Sequence, residues 1–212
     1  MLFTDNILDT KDVLYFDYSK AFDSVPYNEL LYKLWKYGIT GDLWLWFKAY
    51  LFSRIQCVKI NQQMSGILPV VSGIPQGSIL GPILFVLYIN DLPHSLLAAR
   101  PYLFADNTKC IHTMKDSIDS ITLQNDVNNL TNYSESWHLK FNISKCTHLH
   151  YHFISSPFIP KYYIKGNEIP SQSATKDLGI TSNTDLQWNE HQYPMHTEPY
   201  IYYGELFLLQ QF

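Results

Sequence analysis

Apolar positions in this chain change period several times, and each change marks a new element. Val13, Leu14, Tyr15 and Phe16 make a short unbroken apolar run, which predicts a buried strand over Asp12–Tyr18. Leu30, Leu31, Leu34 and Trp35 follow at helical spacing, with Asp23 or Ser24 suited to the cap, Pro26 to the first turn and Gly38 to the close. A second amphipathic helix is predicted over Asp42–Phe52, with Trp44, Trp46, Phe47 and Tyr50 packing into the core. Gln56–Ile60 and Leu68–Ser72 are expected to pair across the Asn61–Gly66 turn, and Ser78–Leu92 to form a largely buried helix ended by Asn90, Asp91 and Pro93. Pro101–Asp106 and Thr108–His112 read as a hairpin with Asp106 and Asn107 at its tip. Ile118, Ile121, Leu123, Val127 and Leu130 give Ser117–Trp137 a helical stripe. Thr147–Phe153 alternates strictly, placing Leu149, Tyr151 and Phe153 on one face and His148, His150 and His152 on a polar face opposite. These histidines are read as a polar face rather than a metal site, because metal sites usually draw ligands from more than one element. A last strand pair is expected between Lys161–Gly166 and Lys176–Ile180. Helices and strands in this irregular order predict an α+β fold on an antiparallel sheet.

Composition narrows the class. The chain has 212 residues, 46% hydrophobic and 16% aromatic, enough for a sizeable core and incompatible with a disordered chain. Cys57, Cys110 and Cys146 have neither disulfide-framework nor zinc-ligand spacing, so no disulfide partner is expected and a reducing compartment fits. No signal-peptide pattern opens the chain, and the apolar run Pro82–Ile89 is far shorter than the ~20 residues of a membrane span. An intracellular protein, cytoplasmic or nuclear and with no membrane partner, is the expectation. The sequons at Asn129, Asn132 and Asn142 are then coincidental. A net charge of −4 with two arginines, Arg54 and Arg100, is a poor electrostatic footprint for nucleic acid.

Three segments carry candidate chemistry. Leu14-Tyr-Phe-Asp17 runs into Tyr18-Ser-Lys-Ala-Phe-Asp23-Ser-Val-Pro26; Val71-Ser-Gly-Ile-Pro-Gln-Gly-Ser-Ile-Leu-Gly-Pro82 is a glycine-rich loop opening onto an apolar helix; Tyr102-Leu-Phe-Ala-Asp106-Asn107-Thr-Lys109 presents a second acid. Carboxylate, glycine-rich loop, carboxylate is the order a template-directed nucleotide polymerase needs. From about Phe3 to about His191 the chain resembles the reverse transcriptase domain of non-LTR (LINE-type) retrotransposons. Ser19-Lys-Ala-Phe22 and Tyr88-Ile-Asn-Asp-Leu92 favour that type over group II intron or telomerase relatives, which share the palm. The chain departs from the family at Asn107, where the family has a second aspartate.

The resemblance implies a polymerase palm over residues 1–191, with fingers and thumb largely missing, and a divergent tail over 192–212. It implies an RNA-directed DNA polymerase using RNA template, DNA primer, deoxynucleoside triphosphates and two Mg²⁺ ions, with Mn²⁺ as a substitute. Asp17 and Asp106 are the implied metal ligands, and with Asn107 the catalytic positions. Phe22, Gln76, Gly77 and Lys145 are the implied nucleotide-binding residues: Phe22 beneath the sugar, Gln76 on the incoming nucleotide and template, Lys145 near the triphosphate. Lys165, Gly166, Leu178 and Gly179 resemble a primer-gripping hairpin. Asp23 and Asp91 are read as helix-terminal residues.

The chemistry fits these residue types. Phosphoryl transfer concentrates negative charge on the transferred group, so catalysis is positioning plus cationic stabilisation. Hard dications take oxygen ligands. Asn107 offers a carbonyl oxygen without charge, which weakens attraction for two mutually repelling ions. Two readings remain open: an impaired polymerase, or an inactive remnant acting at most as a nucleic-acid or protein-binding module.

Overall fold

The computed structural model describes residues 10–152 and 159–184; Phe3, Phe153 and the tail 192–212 lie outside them. The chain runs through β1 (Lys11–Phe16), α1 (Ala21–Ser24), α2 (Tyr27–Lys36), α3 (Gly41–Leu51), β2 (Ile55–Gln56), β3 (Lys59–Ile60), β4 (Gln63–Met64), β5 (Leu68–Pro69) and α4 (Leu80–Ile89). It continues through a 3-10 turn at Leu92–Ser95, β6 (Arg100–Phe104), β7 (Asn107–Thr113), α5 (Ser117–Ser136) and β8 (Thr147–Tyr151). Two hairpins follow, β9 (Tyr163–Ile164) with β10 (Asn167–Glu168) and β11 (Ala174–Asp177) with β12 (Ile180–Asn183). The main sheet has the order β6-β7-β1-β8 with every pairing antiparallel, giving the α+β architecture expected.

The strand β1 is central, so both its faces are covered, which is why Val13–Phe16 form an unbroken apolar run. Leu14 and Phe16 face the main core with Leu30, Leu31 and Leu34 of α2, Leu84, Phe85 and Tyr88 of α4, and Leu123, Val127 and Leu130 of α5. Val13 faces a smaller cluster with Leu149 and Tyr151. Burying such side chains stabilises the fold by ~1.5–3 kcal/mol each. A capping box starts α5: Asp116 accepts from the Ile118 and Asp119 amides, and Asp119 accepts from the Asp116 amide. No helix among the described residues is long and apolar enough to cross a membrane.

Several local expectations are corrected. Pro26, not Asp23 or Ser24, occupies the N-cap of α2, and no side chain caps it. Trp35 and Trp46 are about half exposed rather than core residues, while Phe47 is buried. The ribbon after α3 folds more tightly than expected: β3 pairs with β4, while β2 pairs with β5. The last strands form two separate local hairpins instead of one long-range pair. His148 and His150 are buried, because Pro170 and Gln172 bond the backbone of His148 and close residues 170–172 over that side of β8.

Asp91 does more than end a helix. The Lys33 ammonium, 3% exposed, donates to Asp91 Oδ1 at 2.6 Å, to the Tyr88 carbonyl at 2.5 Å and to the Tyr133 hydroxyl at 2.9 Å. It also lies 3.6 Å from the centre of the Trp137 ring. Burial pulls its pKa down from 10.5 to about 8, with Asp91 opposing the shift. Lys33→Met is expected to destabilise the fold by about 2 kcal/mol, because Asp91 loses its cation and Tyr88 and Tyr133 lose a partner. Urea denaturation checks this. The folded pKa lies below the unfolded one, so the unfolded chain binds more protons between pH 8 and 10.5. The Lys33 contribution to stability therefore rises with pH across that window and is missing from the variant.

Candidate active site

Strand pairing brings the two acidic segments together. The antiparallel register Tyr15↔Lys109, Phe16↔Thr108 ends at Phe16, and its next step sets Asp17 opposite Asn107. Asp106 lies one residue further, in the β6–β7 turn. That turn consists of Ala105 and Asp106, with Ala105 in the left-handed region at φ 51°. The hairpin tip is thus one residue earlier than expected, and Asn107 is the first residue of β7, paired with Phe104. Asp17 is fixed by its backbone: its carbonyl accepts from the Asn142 amide at 2.8 Å, and Tyr18 bridges Phe141 and stacks on its ring. Asp17 and Asp106 are half-buried and Asn107 is exposed. Among the described residues, neither Asp17 nor Asp106 uses its carboxylate in a hydrogen bond or ion pair.

A cleft of about 230 Å³ opens beside this strand end, lined by Asp17, Asn107, Lys109, Lys145, Lys176 and Asp177 among others. Asp106 is not among its lining residues. Lys109 is neutralised by Asp177 at 2.5 Å. The exposed Lys145, at the end of a 3-10 turn over Ile143–Lys145, has no described anionic partner.

The glycine-rich loop is held against α1. The Gly73 amide donates to the Val25 carbonyl and the Ile74 amide to the Phe22 carbonyl, each at 2.8 Å. Ser72 Oγ donates to the Asp23 carbonyl at 3.0 Å, and Gln76 Nε2 to Asp23 Oδ1 at 2.8 Å. Asp23 therefore anchors this loop; it does not cap α2. Gly73 has φ +87°, and a Cβ there would stand 2.8 Å from Asp23 Cα and from its carbonyl oxygen, so no other residue fits. Phe22 is half-buried and stacks on Phe85, ring centres 4.5 Å apart. Gln76 and Gly77 are exposed.

The sequence-derived residues thus form two groups. Asp17, Asn107 and Lys145 line one cleft, with Asp106 in the adjoining turn. Phe22, Gln76 and Gly77 belong to the α1–loop unit, joined to the first group through Tyr18–Lys20. Arg54 was overlooked as part of this framework. Its guanidinium donates to the Gly73 carbonyl and to the Tyr27 hydroxyl, and Nε donates to the Leu51 carbonyl at 3.1 Å. The only sequence signal was that arginine is rare in this chain.

A family model described as reverse transcriptase (RNA-dependent DNA polymerase) matches residues 5–187. The chain belongs to the reverse transcriptase family. It is 29% identical over 188 residues to the RNA-directed DNA polymerase from mobile element jockey of Drosophila melanogaster, covering 84% of this chain and 20% of that protein. It is 28% identical over 192 residues to a probable RNA-directed DNA polymerase from transposon X-element of the same organism, with the same coverage. The chain spans about a fifth of the length of these relatives. Among solved structures it resembles telomerase from Candida tropicalis in complex with a telomeric RNA fragment, with TM-score 0.61, 12% identity, 94% of this chain and 33% of that one. The apo telomerase truncated from its C-terminal domain gives TM-score 0.59 and 13% identity, covering 85% and 35%. At such identities the likeness concerns the polymerase fold alone.

Proposed function

We propose that this chain is the palm-centred part, residues 1–191, of an intracellular RNA-directed DNA polymerase of a LINE-type retrotransposon, impaired by Asn107. The observation that carries the reading is the cleft that Asp17 and Asn107 both line at the end of the β1–β7 pairing, with Asp106 in the adjoining turn and both carboxylates uncommitted among the described residues. The donors are all oxygens, two of them charged, which fits hard dications and falls one carboxylate short of the family pattern. Asp17 and Asp106 would hold Mg²⁺, or Mn²⁺ in its place, which lowers the pKa of the primer hydroxyl and screens the transferred phosphoryl group.

The remaining steps belong to the side chains. Lys145 reaches the triphosphate from the cleft edge, where its ammonium offsets charge on the departing pyrophosphate and can give it a proton. Phe22, backed by Phe85, forms a firm floor for the sugar and excludes a 2′-hydroxyl, selecting deoxynucleotides. Gln76 is presented by the anchored loop to the incoming nucleotide and the RNA template, and Gly77 lets the backbone approach closely.

Asn107→Asp is expected to raise primer extension roughly tenfold, equivalent to ~1.4 kcal/mol of barrier; no gain would locate the defect elsewhere. Millimolar Mg²⁺ should raise the Tm of the folded chain by mass action, an increase that Asp17→Ala removes. The second reading is an inactive remnant that only binds nucleic acid or protein, and Asn107 with the net charge of −4 favours it. Folded protein that binds RNA without extending a primer would decide for it.

A further inference from the structure

A second convergent group lies inside the fold, away from the strand end that carries Asp17. Asp12 of β1 stands directly across from His150 of β8, and His148, two residues earlier, shares that face. The ligand atoms of Asp12, His148 and His150 all lie within 4.8 Å of one another, and the residues are buried, at 0%, 0% and 5% exposure. Both imidazoles address the same oxygen: His150 Nδ1 is 2.5 Å and His148 Nε2 3.1 Å from Asp12 Oδ1. A hydrogen-bonded network is the simpler account, yet it leaves His148 Nε2, fully buried, without an aligned hydrogen bond. A buried ring nitrogen with no aligned partner is costly, and a cation between it and the carboxylate removes that cost.

The outer contacts match those that orient metal ligands. His148 Nδ1 is 3.0 Å from Ser171 Oγ, which turns Nε2 inward. Tyr162 donates its hydroxyl to Asp12 Oδ2, which leaves Oδ1 facing the imidazoles. Tetrahedral bonds of ~2.0–2.1 Å separate ligand atoms by ~3.3 Å. The His148 Nε2–Asp12 Oδ1 spacing of 3.1 Å is close to that, the His150 Nδ1–Asp12 Oδ1 spacing of 2.5 Å needs to open by less than an ångström, and the two ring nitrogens lie within 4.8 Å of each other.

We propose that Asp12 Oδ1, His148 Nε2 and His150 Nδ1 form a zinc site, with water in the fourth position. Two nitrogens and one oxygen suit Zn²⁺ and discriminate against Mg²⁺, which prefers oxygen alone. The ion ties β1 to β8 beneath the segment that carries Tyr162 and Ser171. Its donor set differs from the all-oxygen set around Asp17, so the two sites sort metals by ligand chemistry.

The test is elemental analysis of the folded full-length chain after dialysis against Zn²⁺, with Tm recorded in Zn²⁺, in Mg²⁺ and in chelator. One zinc per chain is expected, retained in Asp17→Ala and in Cys57→Ser and lost in His148→Gln and in His150→Gln. Zn²⁺ is expected to raise Tm in a way that Asp17→Ala leaves unchanged. If the histidine variants do not fold, Co²⁺-loaded wild-type protein supplies the decision: four-coordinate nitrogen–oxygen d–d bands support the site, while thiolate charge transfer or octahedral spectra overturn it. Sub-stoichiometric zinc on folded wild-type protein, or stoichiometric zinc that survives both histidine substitutions, also overturns it.

Discussion

Asp17→Ala is expected to lower RNA-templated primer extension by about 10³-fold, the scale seen when one preorganised electrostatic group is removed from an active site. Stability should stay the same or rise slightly. The Asp17 carboxylate bonds to no described side chain, and its position is set by the backbone bond from Asn142, which alanine preserves. The paired readout is extension rate and urea midpoint: unchanged extension contradicts the role, and a collapsed midpoint makes Asp17 a structural residue instead.

Gly73→Ala is expected to cost about 3 kcal/mol or more. The left-handed backbone contributes ~1–2 kcal/mol and the clash with Asp23 backbone a further ~1–3 kcal/mol. Neither neighbour can rotate away, since the atoms met are backbone, held by the Gly73–Val25 and Ile74–Phe22 bonds. Gly77→Ala makes the control: φ is +76° there, but a Cβ would meet nothing within 4 Å, so only the ~1–2 kcal/mol backbone share applies. Urea denaturation of the two variants separates contact from conformation. Equal losses would remove the close approach as the reason for glycine at position 73. Because the same loop presents Gln76, extension should fall further in Gly73→Ala than in Gly77→Ala.

Much of this framework was legible in the sequence. The central strand β1 announced itself through an apolar run with no polar alternate, and α4 through the apolar stretch from Leu80 to Ile89. The pairing of β1 with β7, which carries the Asp17 and Asp106 segments to the same end of the sheet, was carried by motif order and resemblance, since periodicity says nothing about which strands pair. The hairpin tip slipped by one residue because Ala105 adopts a positive φ without the usual glycine or asparagine signal. The turns Lys165-Gly166 and Leu178-Gly179 both carry positive φ at each residue, closing two local hairpins, but lysine and leucine lack the Asn-Gly or Asp-Gly signal that would mark such turns in the sequence. Alternation correctly put His148 and His150 on one face but could not reveal that residues 170–172 cover it. Lys33 and Asp91 look like ordinary surface charges in the sequence, and only the packing of α2 against α4 and the approach of Tyr133 and Trp137 bury the Lys33 ammonium against the half-buried Asp91.

Single-nucleotide incorporation by the wild-type chain tests the central claim most directly. A primed RNA template would be offered each deoxynucleoside triphosphate separately, in Mg²⁺ or Mn²⁺, with chelator as the blank. The account predicts slow incorporation of the deoxynucleotide complementary to the template base, abolished by chelator and stronger in Asn107→Asp. Folded protein that adds no nucleotide in either metal would contradict it.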